Sequence, residues 1–174
     1  MVDFFKVSTR SVKRGVVEIY PKFIIKNPSE DLMIRGGDFY AVWLEDQKVW
    51  STSEQDVIRL IDKELDRYFE ENRDRFNDST VIVKHMWDAE SGTIDGWHKY
   101  CQKQMRDHFV MLDKKLIFSN TDVQKTDYAS KKLSYPLEEG KCPAYEKLMS
   151  TLYSEEERHK IEWAVGSIVA GESK

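Results

Sequence analysis

The sequence predicts an α+β fold, with a small N-terminal antiparallel β portion and a mostly helical remainder. Three observations lead there. Short β-branched and aromatic runs, broken by Pro, Asn and paired Gly, fill the first third of the chain. An apolar stripe at helical spacing starts at Val57. Two segments with helix-start signals close the chain.

In order, Val16, Val17, Ile19 and Tyr20 ahead of Pro21, then Phe23-Ile24-Ile25 ahead of Asn27-Pro28-Ser29, read as extended segments ended by turn residues. Gly36-Gly37-Asp38 opens the run Phe39–Leu44. The polar turn Glu45-Asp46-Gln47-Lys48 then leads to Val49-Trp50, which predicts a hairpin with aromatics on both arms. Ser51-Thr52-Ser53 offers N-cap candidates for a helix over Glu54–Asn72, whose Val57, Ile58, Ile61, Leu65, Tyr68 and Phe69 share one face. Its other face pairs Asp56 with Arg59, Lys63 with Asp66, and Arg67 with Glu70 or Glu71. Val81-Ile82-Val83 is too short for periodicity to separate a strand from a helix start. A second helix is expected from Asp95 to about Phe109, with Trp97, Tyr100, Cys101, Met105 and His108 on its apolar face. Leu116-Ile117-Phe118 suggests a strand. Pro143 suits the first turn of a third helix, where its missing N–H costs little. Ser154 and Glu157 have the spacing of a capping box for the fourth.

The 174 residues carry five Trp, eight Tyr and eight Phe, enough apolar surface for a core and against disorder. No apolar run reaches the roughly 18 residues of a membrane span, and the N-terminus lacks the pattern of a secretory signal. Cys101 and Cys142, 41 positions apart, give neither a disulfide framework nor a zinc pair and fit a reducing cytoplasm. With no repeat or low-complexity linker, residues 1–174 are expected to form a single domain.

The net charge of −4 hides a segregation. Residues 1–35 carry seven basic and four acidic groups, and residues 91–132 eight and five, each a net +3. Residues 36–90 hold seven basic and fourteen acidic groups, and residues 133–174 five and eight. An acidic protein can thus present basic faces. Lys99, Lys103 and Arg106 recur at helical spacing opposite the apolar face of the second helix. Lys114-Lys115 and Lys131-Lys132 follow, near Tyr128 and Tyr135. Charge that tracks a phosphate backbone beside rings that stack on bases suits single-stranded DNA, although a solvated face with scattered lysines accounts for the same residues.

No Gly-x-x-x-x-Gly-Lys-Ser/Thr loop, Gly-x-Ser-x-Gly elbow or His-Glu-x-x-His pair occurs, so no catalytic constellation and no metal site is expected here. His98, Cys101 and His108 are too few for a closed metal site, and Asp62 and Asp66 are flanked by cations that suit ion-paired surface.

The order of several motifs resembles a known family. Gly37-Asp38-Phe39-Tyr40-Ala41-Val42-Trp43, a turn, Lys48-Val49-Trp50 and a charged amphipathic helix come first. Leu133-Ser134-Tyr135-Pro136-Leu137 and Lys141-Cys142-Pro143-Ala144-Tyr145 follow. Glu155-Glu156-Glu157-Arg158 and Trp163-Ala164-Val165-Gly166-Ser167-Ile168-Val169-Ala170-Gly171 complete the set. Across about residues 35–174 this resembles the segment of phage primase–helicases immediately N-terminal to their motor. Those proteins are similar to poxvirus-type primase–helicases with a viral superfamily 3 helicase motor. The ATPase motifs are not among these residues, so the family's catalytic residues have no counterpart here. The resemblance implies a non-catalytic accessory domain of a phage replicative primase–helicase, in the host cytoplasm, supporting DNA handling or ring assembly. ATP and Mg would then belong to the downstream motor, with no cofactor in this segment. The alternative is a stand-alone phage or bacterial protein that binds a protein partner. In the last helix, Ile161, Val165, Ile168 and Val169 are expected to close the domain's own core. Trp163, Gly166, Ser167 and Ala170 on the other side would meet the ATPase domain or a neighbouring subunit.

Overall fold

The structure, a computed structural model, describes residues 2–26, 28–88, 92–104 and 109–170, with residues 169 and 170 described by backbone alone. It is an α+β protein. Six strands and four helices occur among the described residues: β1 (Phe5–Lys13), β2 (Val16–Phe23), β3 (Leu32–Arg35), β4 (Asp38–Leu44), β5 (Val49–Ser51), α1 (Glu54–Glu71), β6 (Thr80–Val83), α2 (Thr93–Lys103), α3 (Pro143–Leu152) and α4 (Glu155–Ala170). Contacts divide the chain into two compact units, Met1–Val110 and Met111–Lys174, although composition marks no boundary there.

The first unit holds both sheets. One is ordered β1-β2-β6, with β1 antiparallel and β6 parallel to β2. The other is the antiparallel sheet β3-β4-β5. Pro21 sits inside the central strand β2, where a missing N–H is normally costly. The β6 pairing ends at Ile19, so at Pro21 the strand has β1 as its sole neighbour in the sheet. β3 turns into β4 through Gly36 and Gly37, at φ +64° and +90°, the double left-handed conformation of a tight hairpin that glycine adopts without strain. The expected β4–β5 hairpin is present, with Trp43 directly opposite Trp50 and ring centroids 5.8 Å apart.

α1 buries Val57, Ile58, Ile61 and Leu65, the stripe the spacing predicts. Ser53 is its N-cap residue without a side-chain cap bond, and Ser51 instead donates its hydroxyl to Asp56 at 2.6 Å. Trp97 of α2 is fully buried against Phe4, Phe23, Phe39 and Tyr100, at centroid distances of 5.6–6.4 Å. Its indole N–H donates to Glu54 at 2.7 Å, giving the buried donor a partner.

Two elements depart from expectation. α2 ends at Lys103 rather than near Phe109, and Met105 and His108 of its expected apolar face lie outside the described residues. The extended backbone of Gln104 (ψ 157°) stops the helix, and the buried Gln104 amide donates to the Lys26 carbonyl at 2.7 Å. Phe109 lies outside any helix, its ring under the Arg35 guanidinium at 4.7 Å and edge-on to Tyr40. Leu116–Phe118 forms no strand. In the second unit, Ile117 is buried within irregular chain, and its carbonyl accepts the Leu133 N–H at 2.8 Å.

That unit has a small core of Ile117, Val123, Ala129 and Met149. The Ser154–Glu157 capping box starts α4 as expected: Glu157 accepts the Ser154 N–H at 2.9 Å and its hydroxyl at 2.7 Å, while Ser154 Oγ accepts the Glu157 N–H at 3.4 Å.

Candidate functional site

The basic residues singled out in the sequence fall in both units. On α2, burial of Trp97, Tyr100 and Cys101 leaves Lys99 and Lys103 on the exposed side, one turn apart. Neither forms an ion pair with a described residue. Arg106, the third position of the expected stripe, lies outside the described residues.

In the second unit, Lys114, Lys115, Lys131 and Lys132 lie on two segments that the backbone ties side by side. Asp113 N–H donates to the Tyr128 carbonyl at 2.9 Å, and the Asp113 carboxylate accepts both the N–H and the hydroxyl of Ser130. All four lysines are exposed. Two are engaged locally: Lys115 pairs with Asp127 at 3.3 Å and Lys132 donates to the Thr121 carbonyl at 3.2 Å. Tyr135 is 52% exposed beside Phe118, whereas Tyr128 is half-buried at φ +48°.

The last helix corrects one expectation. Of the four residues expected to close a core, Ile161 is half-buried, the Val169 side chain lies outside the described set, and Val165 and Ile168 do not close one. They are 55% and 79% exposed, like Trp163 on the other side at 66%. Helical spacing places apolar residues on one stripe but supplies no element to cover it, and a small unit has little interior to offer. Leu148 and Leu152 of α3 are exposed at 57% and 61%. A Cβ at Gly166 would meet nothing within 4 Å, and Ser167 returns its hydroxyl to the Ala164 carbonyl. Ala170 ends α4, its side chain outside the described set.

Of the residues weighed as metal ligands, Asp62, Asp66 and His98 are engaged in structure. Asp62 accepts the Met86 N–H at 2.7 Å, and Asp66 meets His85 rather than Lys63. Burial raises the Asp62 carboxyl above its ordinary range against that bond. His98 lies 3.2 Å from Glu54, which also receives the Trp97 indole. Burial, with the Glu54 and Asp38 carboxylates nearby, pushes the Cys101 thiol up to about 12. Such a thiol is a packing group rather than a nucleophile. Among the described residues no group of three or more His, Cys, Asp or Glu side chains converges as metal ligands would.

One charged surface was not legible as a site in the sequence. The solvent side of the β1-β2-β6 sheet collects Lys6, Arg10, Lys22 and Lys84 around Tyr20 and Glu18. Its sequence signals were the +3 balance of residues 1–35 and the alternation along 5–10, where Phe5 and Val7 fall on one face and Lys6 and Arg10 on the other.

No helix among the described residues is long and apolar enough to cross a membrane. Compared with known proteins, the chain matches no family model, no curated protein and no solved structure.

Proposed function

We propose that this chain is a non-catalytic accessory segment of a phage replicative primase–helicase, which docks through α4 onto the ATPase motor. The observation that carries the reading is the exposure of apolar side chains on opposite sides of α4: Val165 and Ile168 on one, Trp163 on the other. A helix in contact with water alone would not combine these residues, and an accessible Trp is the kind of anchor found at interface centres. Gly166 and Ser167 beside it admit a close neighbour. The motif order described above supports the same partner, since in the family this helix leads directly into the motor. Lys99 and Lys103 then serve DNA handling as a weak, phosphate-directed surface.

The test is to read and express the coding sequence that follows this chain. The expected result is a phosphate-loop ATPase whose ring assembly shifts to about tenfold higher protein concentration with Trp163→Ala. An open reading frame without such a motor, or assembly that the substitution leaves unchanged, overturns the reading.

A further inference from the structure

We infer that the solvent face of the β1-β2-β6 sheet is a binding platform for single-stranded nucleic acid, a site separate from α2 and independent of the accessory-segment reading.

Strand alternation builds it. Phe5, Ile19 and Pro21 are buried on the core side. The opposite parity brings Lys6 beside Lys22, Ser8 beside Tyr20, and Arg10 beside Glu18, with Ile82 of β6 next to Glu18. The face therefore carries four cations and one carboxylate, and two of the cations sit on that carboxylate. Glu18 is covered twice, by Arg10 at 2.6 Å and Lys84 at 3.8 Å, and its side chain is only 10% exposed. Beside the partly exposed Ile82, the charge that the face offers to solvent is positive, with the exposed Lys13 and Arg14 at the hairpin tip.

Two details point to an anionic polymer with bases. Lys6 and Lys22 are exposed, directly opposed across the ladder, and without an ionic partner among the described residues. Like charges so placed weaken a sheet, so folding does not account for them, whereas a phosphate lying between them reverses the sign of the interaction. The Arg10 guanidinium sits 5.3 Å from the centre of the Tyr20 ring, is 62% exposed, and spends its Nε–H on Glu18, which leaves its terminal N–H groups to donate outward. Between these cations lies a half-exposed aromatic ring on a shallow pleated surface. That combination suits a strand whose bases are free to stack, because a duplex hides its base faces and an acidic peptide has none. From Lys6 to Arg10 the strand runs about 13 Å, room for a short run of nucleotides.

The experiment is fluorescence anisotropy of the full chain with fluorescein-labelled oligothymidylate across a salt series. The expected result is salt-sensitive binding whose log–log slope flattens by about 1.4 in Lys6→Gln/Lys22→Gln, two phosphate contacts at about 0.7 each. Tyr20→Leu should weaken binding by about 5- to 150-fold. Both lysines are exposed, so the double variant is expected to keep the parent's circular dichroism and remains decisive if Tyr20→Leu fails to fold. Unchanged affinity and slope in the double variant, no binding by the parent, or equal competition by polyglutamate overturns the proposal. Trp163→Ala, which tests assembly, should leave oligothymidylate affinity unaltered, so the two proposals fail separately.

Discussion

Trp97 and Trp163 both lie within helices, yet Trp97 has no exposed surface and Trp163 leaves 66% of its surface in water. The difference is in the neighbours. Trp97 enters a nest of Phe4, Phe23, Phe39 and Tyr100, and its indole N–H finds Glu54. Among the described residues of the second unit, four small or medium side chains make the buried apolar set, while α3 and α4 keep Leu148, Leu152, Val165 and Ile168 largely in solvent. The first unit thus encloses most of its aromatic payload, with Trp87 left 61% exposed. The second encloses far less, and the docking proposal rests on that surplus.

Matched substitutions break or sharpen this contrast. Trp97→Ala should destabilise the chain by about 3–5 kcal/mol, the cost of a large core cavity. Trp163→Ala should stay within about 0.5 kcal/mol, as for an exposed site. Urea denaturation of the full chain measures both, and a loss of about 3 kcal/mol or more at Trp163 would show that α4 is core after all. A chemical contrast follows from the cysteines. Buried Cys101, its thiol raised to about 12, stays protonated at pH 8 and should resist iodoacetamide until the chain unfolds, whereas exposed Cys142 alkylates in the native protein. Peptide mass spectrometry reads the two sites separately, and equal labelling would mean that the first unit is not sealed.

Where local physics decides, the sequence was legible. The α1 stripe, the Trp43–Trp50 hairpin and the Ser154–Glu157 cap each depend on residues a few positions apart. β1 was less readable because most of its residues are polar or exposed. β3 is a four-residue element whose hydrophobic run is too short for periodicity to classify. The end of α2 depends on Gln104 reaching the Lys26 carbonyl, 78 positions away in sequence, which no local pattern announces. The exposure of Val165 and Ile168 escaped for a related reason: periodicity reports a stripe and is silent on what covers it. The basic sheet face was hidden because it exists only once the register sets Lys6 against Lys22 and brings Lys84 to Glu18.

The parallel pairing of β2 with β6 also governs when that face forms. Val16–Ile19 pairs with Thr80–Val83, segments 64 positions apart, with the β3-β4-β5 sheet and α1 lying between them in the chain. Closing so long a loop in an open chain costs entropy that local hairpins avoid. We expect the intervening elements to collapse first and β6 to join late. Val83→Ala should then speed unfolding while leaving the folding rate nearly unchanged, and slowed folding would place β6 in the nucleus. Since Lys84 follows directly from that strand, its meeting with Glu18 is a late event. The charge arrangement of the face thus belongs to the finished unit, and the β1–β2 hairpin alone would present Glu18 with one cation fewer.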